Sequence, residues 1–442
     1  MREPSPMRNK GARLTVPRSP WYIRHRWLLI GGIVDVGLLV VLFVLARKVL
    51  FSGAATVVVT VTAVVPSATS IANPTSAATP SPATLSQQID AYIQQMPLTQ
   101  KIGQLLMLSV YTNAYSSALD APLQQTQVGG IVWFPNHNGG PLMPTTLSGV
   151  KQLITDIKAH ATNPLLIATD EEGGDVDRLA PYYGRTPAPA ELTATGDPQN
   201  AKDQAVQDAQ RLSYLGINVD FAPLADVNQG GAIDASRMFG SSVAQVTQYA
   251  GAFLDGLQQH GIAGTLKHWP GIGAVPANPD YALPTLDHTQ AQLNNIDFAS
   301  FRALLSHQPD LIMVTHVLVP AYDQTYPASL SPTLINGVLR GQLGYQGVVV
   351  SDAMEATAIT QFMQQRGYTN PAQGVGEASV LAILAGEDLI ECPVDPTLEQ
   401  GVVNAVTQAV DSGRISQARL QQSLERIIRL KVQLGILKLP KS

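Results

Sequence analysis

Between about residue 85 and residue 439, short runs of β-branched and aliphatic residues recur eight times, most of them followed by a longer amphipathic stretch. No other feature constrains the chain as strongly. A strand, a helix and a second parallel strand form the βαβ unit, and eight such alternations imply an α/β fold of the (β/α)₈, TIM-barrel type. Strands are expected at Ile102–Leu108, Val128–Phe134, Leu165–Asp170, Ile217–Asp226, Ile262–Trp269, Asp310–Val317, Gly347–Ala353 and Ala385–Cys392. Helices are expected at Ala201–Leu215, Val243–Gln259 and Gln292–Leu305. The stretch Ser416–Leu434 carries apolar residues at three- and four-residue spacing, suited to completing the outer ring.

In such a barrel the working residues sit at the C-terminal ends of the strands. Polar residues fall there repeatedly: Asp170 on the third strand, Asp226 on the fourth, Lys267 and His268 on the fifth, His316 on the sixth and Asp352 on the seventh. Charged groups are rarely buried without a partner or a task, so five such ends on one face point to a polar site. Each residue also has a plainer reading. Asp352 could cap a following helix, Asp170 and Arg178 could neutralise each other, and His316 could be a hydrogen-bonded core histidine.

The segment before the barrel is different. Residues Trp27 to Ala46 are almost wholly apolar, with fourteen Leu, Ile, Val and Phe residues around one central Asp35. About twenty apolar residues suffice to cross a bilayer, and one central Asp costs roughly 2.5–3.5 kcal/mol against their sum. A single transmembrane helix at 27–46 is therefore expected. Seven arginines and lysines precede it, which places the basic tail 1–26 in the cytoplasm and the rest outside, in the cell membrane. Residues 47–85 are rich in Ala, Thr, Ser and Pro and read as a disordered linker, leaving 86–440 for the barrel. The net charge of -5 argues against a nucleic-acid partner, and the single cysteine, Cys392, permits no intrachain disulfide. No residues show metal-ligand spacing, and no cofactor is expected.

The barrel segment resembles glycoside hydrolase family 3, in particular its single-barrel bacterial β-N-acetylglucosaminidase branch. Asp170-Glu-Glu-Gly-Gly-Asp-Val-Asp-Arg178 is similar to the family's Asp-Gln-Glu-Gly-Gly-Arg-Val-x-Arg. Arg237-Met-Phe-Gly240 is similar to Arg-Ser-Phe-Gly, and Lys267-His-Trp-Pro-Gly271 to Lys-His-Phe-Pro-Gly. Asn218-Val-Asp-Phe-Ala-Pro-Leu-Ala-Asp-Val227 and Ser351-Asp352 match the fourth-strand and nucleophile signatures. The resemblance implies a retaining hydrolase of terminal β-linked N-acetylglucosamine, acting on cell-wall or chitin-type oligosaccharides. Asp352 would be its nucleophile, with Asp170, Arg178, Arg237, Lys267, His268 and His316 binding substrate.

One loop departs from that pattern. The family's loop carries a histidine acid/base oriented by an aspartate. Here Gly271-Ile-Gly-Ala-Val-Pro-Ala-Asn-Pro-Asp280 places Asp280 at the histidine position and Asn278 at the aspartate position. Three readings stand open: Asp280 serves as the acid/base, the enzyme is slow, or the chain only binds glycan. A β-glucosidase or β-xylosidase of the same family is a further alternative.

Overall fold

The computed structural model describes residues 84–135 and 143–440. The tail 1–26 and the segment Trp27–Ala46 lie outside the described residues, as does the linker up to residue 83. Among the described residues no helix is long and apolar enough to cross a membrane. The expected membrane anchor therefore gains no structural support.

Eight parallel strands form one sheet: β1 (Leu106–Val110), β2 (Gly130–Trp133), β3 (Leu166–Thr169), β4 (Val219–Asp220), β5 (Ala263–Trp269), β6 (Leu311–Val314), β7 (Val348–Ser351) and β8 (Ile390–Cys392). From β1 to β7 each pairs with its neighbour in chain order, and β1 also pairs with β8. A bridge between Val350 and Leu389 brings β7 beside the start of β8, so the sheet curls into a nearly closed barrel. Helices including Leu147–His160, Pro198–Leu215, Val243–Gln258, Pro371–Ala385 and Gln417–Gln433 follow the strands. Their starts carry local signals: Asp197, Ser242 and Ser416 each accept a backbone N–H from the first turn.

Three expected strands change on inspection. The first begins at Leu106, because Leu98–Gly103 is helical; an unbroken apolar run does not distinguish strand from helix. The fourth shrinks to two residues, since Pro223 has no N–H to continue the ladder, although Leu224 still bridges to Lys267. The eighth begins only at Ile390, because Ala385 ends a helix and the next four residues lead out of it. Gly386 terminates that helix at φ +124, and a Cβ there would stand 2.4 Å from Asn336 Oδ1.

The barrel is held at the far end from the strand C-termini by a buried carboxylate. Asp388 accepts Arg340 at 2.6 Å, Arg419 at 3.1 Å and Arg426 at 3.2 Å, together with the Ser423 hydroxyl and the Val349 N–H. This ties the approach to β8 to the final helix. On the same helix, the buried Lys431 Nζ donates to Gln104 Oε1 at 2.6 Å and to the Gly129 carbonyl at 2.7 Å.

Candidate active site

The strand C-termini surround a cavity of about 760 Å³. Asp170, Arg178, Arg237, Lys267, His268, Asp280 and Asp352 all line it. His316 is not among the lining residues. It is fully buried, its Nδ1 lies 2.8 Å from Ser329 Oγ, and its Nε2 lies 3.0 Å from the Ala353 carbonyl. The expected substrate contact at His316 is thus corrected. The ring braces the main chain beside Asp352, and burial lowers its pKa.

Asp352 immediately follows β7, a Val-Val-Val-Ser run that is buried throughout. Its backbone N–H donates to the Val314 carbonyl at 3.0 Å, which extends the β6–β7 ladder by one residue. Oδ1 accepts the Ala353 N–H at 2.9 Å, and Oδ2 accepts the Thr315 hydroxyl at 3.1 Å. The next helix starts only at Thr357, with Ala356 in the cap position, so Asp352 is not a helix cap. Burial pushes its carboxyl up, but His268, His316, the Ala353 N–H and Lys267 together outweigh burial and hold it below the usual value.

Opposite stands a charged lattice. Lys267 at the end of β5 lies 2.7 Å from both Asp170 and Glu172. Glu172 also takes a two-point grip from Arg237, Nε to Oε2 and Nη2 to Oε1, both at 2.8 Å. Arg178 approaches Asp170 at 3.6 Å and faces the Phe134 ring. Burial raises Glu172, yet Arg237 and Lys267 override it and hold the carboxyl far below its ordinary range. Burial likewise lowers Lys267, but Asp170 and Glu172 reverse the shift. The lattice brings donors and acceptors to one space, an arrangement suited to polyhydroxylated ligands.

His268 places Nδ1 2.8 Å from Asp226 Oδ2. Asp226 also accepts the N–H groups of His268 and Ile272, so one buried carboxylate orients the ring and holds the root of the next loop. Gly273 passes so close to the Val227 carbonyl that a Cβ would lie 1.8 Å from its oxygen. The loop then brings Asp280 over the cavity. The Asp280 N–H donates to Asn278 Oδ1 at 2.9 Å, while the carbonyls of Asp280 and Pro279 accept the N–H groups of Thr357 and Ala358. Asp280 is exposed at the mouth of the cavity, and its carboxyl is raised above its ordinary value by loss of hydration first and by the negative charge of Asp352 second. Asn278, His268 and Arg237 oppose that shift.

Sequence reasoning did not select Glu172, Asp226, Glu355 or Glu391 as site residues. Glu172 lies inside the quoted Asp170–Arg178 motif, and Asp226 at a recognised strand end. Glu355 and Glu391 also line the cavity, and an acid near the end of a short apolar strand is the signal for the latter. Among the described residues no group of three or more His, Cys, Asp or Glu could hold a metal ion.

The profile of the glycosyl hydrolase family 3 N-terminal domain matches residues 97–430, most of the barrel chain. The chain belongs to glycosyl hydrolase family 3. Beta-hexosaminidase LpqI of Mycobacterium tuberculosis is 32% identical over 342 residues, covering 75% of this chain and 82% of that one. An uncharacterized secreted glycosyl hydrolase of Arthroderma benhamiae is 30% identical over 345 residues, covering 76% and 94%. Among solved structures, a family 3 β-N-acetylglucosaminidase from Paenibacillus sp. str. FPU-7 superposes with a TM-score of 0.71 at 34% identity. That match covers 78% of this chain and 65% of the Paenibacillus chain. The expected location in the cell membrane is corrected on two grounds. No helix among the described residues is long and apolar enough to cross a membrane, and the Arthroderma relative is named a secreted enzyme.

Proposed function

We propose that this glycoside hydrolase removes terminal β-linked N-acetylglucosamine from the non-reducing ends of cell-wall or chitin-type oligosaccharides, with retention of configuration. The carrying observation is the pair of carboxyls over one cavity. Asp352 is held ionised by its neighbours, while the nearby Asp280 is pushed toward its protonated form. Environments that drive two carboxyls apart in this way assign one as nucleophile and the other as acid.

In the first step an Asp352 oxygen attacks the anomeric carbon as the bond to the glycosidic oxygen breaks. Asp280 gives its proton to that departing oxygen. In the second step Asp280, now a base, takes a proton from water, and the resulting nucleophile displaces the sugar from Asp352. Asp170, Arg178, Arg237, Lys267 and His268 hold the sugar oxygens, and Glu172 fixes Lys267 and Arg237 in place.

The test is turnover of an aryl β-N-acetylglucosaminide, together with trapping by a fluorinated sugar and mass mapping of the labelled peptide. A label on Asp352 supports the mechanism; a label elsewhere, or none with normal turnover, overturns it. The second reading is a glycan-binding chain with little catalysis, favoured by the Asp280 and Asn278 replacements. It predicts binding of N-acetylglucosamine with equal, near-zero rates for the native chain and Asp352→Asn. Faster turnover of aryl β-glucosides or β-xylosides would instead assign those substrates.

A further inference from the structure

The lattice and the two mechanistic carboxyls leave two acids of the cavity unused, Glu355 and Glu391, and of these Glu355 already accepts the Val394 N–H at 3.0 Å. Glu391 sits in β8, beside β7 and the Asp352 that follows it. We propose that Glu391 is a sugar-positioning residue, whose carboxylic acid donates a hydrogen bond to an oxygen of the terminal sugar and sets that ring against Asp352. The inference rests on the glycosidase reading above and adds a contact to it.

Three observations carry it. The first is attachment. The Glu391 N–H donates to Ser351 Oγ at 2.9 Å, and its carbonyl accepts the Met354 N–H at 3.2 Å. Those partners lie on either side of Asp352 in the chain, so the main chain of Glu391 and the nucleophile move together. The second is exposure. Glu391 is only 3% accessible, yet it lines the cavity with Asp352, Asp170 and Glu355. The third is vacancy of partners. Its carboxyl makes no hydrogen bond to another described residue, whereas Asp170, Glu172, Asp226 and Asp352 each accept at least one. A carboxyl that lines the cavity without a protein partner is left to water, and a ligand oxygen can take that water's place.

The protonation state fits a donor. Burial, followed by the charges of Asp352, Asp170 and Glu355, raises the Glu391 carboxyl well above its ordinary value. An acid kept neutral in this way offers an O–H, where the ionised Asp352 and Glu172 offer only acceptors. The ligand atom it selects is therefore a hydroxyl, ring or acetamido oxygen. A sugar bearing a free amine is the opposite case, since it would take the proton and pair with the ionised form.

Glu391→Gln keeps the shape and a donor; Glu391→Leu keeps the bulk without one. Both are made in the full chain, and binding of N-acetylglucosamine is measured by calorimetry between pH 5 and pH 9, beside kcat and KM on the aryl glycoside. Glu391→Gln is expected to bind within about threefold of the native chain, and Glu391→Leu about 10- to 100-fold more weakly. Native binding should weaken at the alkaline end as the acid ionises, and the Gln variant should lose that slope. Equal affinities in all three chains, or equal losses in both variants, would overturn the contact. Tighter native binding of glucosamine than of N-acetylglucosamine would overturn it in favour of an ammonium site. Because binding needs no turnover, an inactive native chain would sink the hydrolase reading alone and leave the Glu391 result readable.

Discussion

The Lys267 ammonium lies 2.7 Å from the Glu172 carboxylate, both fully buried. Glu172 also carries Arg237, so one carboxylate neutralises two cations that face the cavity. Removing one partner of a buried ion pair leaves an uncompensated charge.

Glu172→Gln should therefore lower unfolding stability by about 3 kcal/mol at neutral pH, read by urea denaturation. The effect has a defined pH window. The folded carboxyl is held below its ordinary value of 4.5, so its contribution is complete above that pH and is lost as pH falls below it. The difference between native and variant chains should shrink when the same titration is run near pH 3.

Asp352→Asn should reduce kcat by at least about 10³-fold without lowering the melting temperature. The amide oxygen can accept the Ala353 N–H and the amide NH2 can donate to the Thr315 hydroxyl, though an amide cannot form the glycosyl intermediate. A variant that melts well below the native chain would show that Asp352 is needed for folding.

Asp280→Asn should slow substrates with poor leaving groups by about 10²–10⁴-fold and activated aryl glycosides far less. The pH profile follows from the two carboxyls. Asp352 must be ionised and is held below 3.8, so the acid limb lies at low pH. Asp280 must be protonated and is raised above 3.8, so activity falls as pH climbs through its higher value. The Asn variant should lose that alkaline limb. An anion at this position also repels phosphate, so no sugar 1-phosphate is expected when product is analysed in phosphate buffer.

Lys431 supplies a second pH signature, remote from the cavity. Burial lowers its pKa from 10.5 to about 7. The unfolded chain therefore binds more protons between about pH 7 and 10.5, and stability should rise with pH through that window by up to roughly 1.4 kcal/mol per unit. Lys431→Met should abolish that contribution, as measured by denaturation at pH 7 and pH 9. A neutral amine has two N–H groups, matching the two acceptors Gln104 and Gly129.

Much of this was legible before any coordinates. The runs leading to Lys267-His268 and Ser351-Asp352 are apolar until their last residues, so both strands and their functional ends stand out together. The fourth strand did not, because its ladder depends on where Pro223 falls. His316 was misplaced because sequence spacing does not tell whether a side chain at a strand end turns into the cavity or back under the neighbouring peptide. Glu172 was passed over for a related reason: its partner Arg237 lies 65 residues away, and only the folded barrel brings them together.

The loop over the cavity is fastened to the helix after β7 through the carbonyls of Pro279 and Asp280. Main-chain groups are the same whatever side chain they carry. The proton donor can therefore be exchanged by point substitution while the loop keeps its moorings. On the proposed mechanism, position 280 is a socket whose acid can be changed without rebuilding the mouth of the barrel.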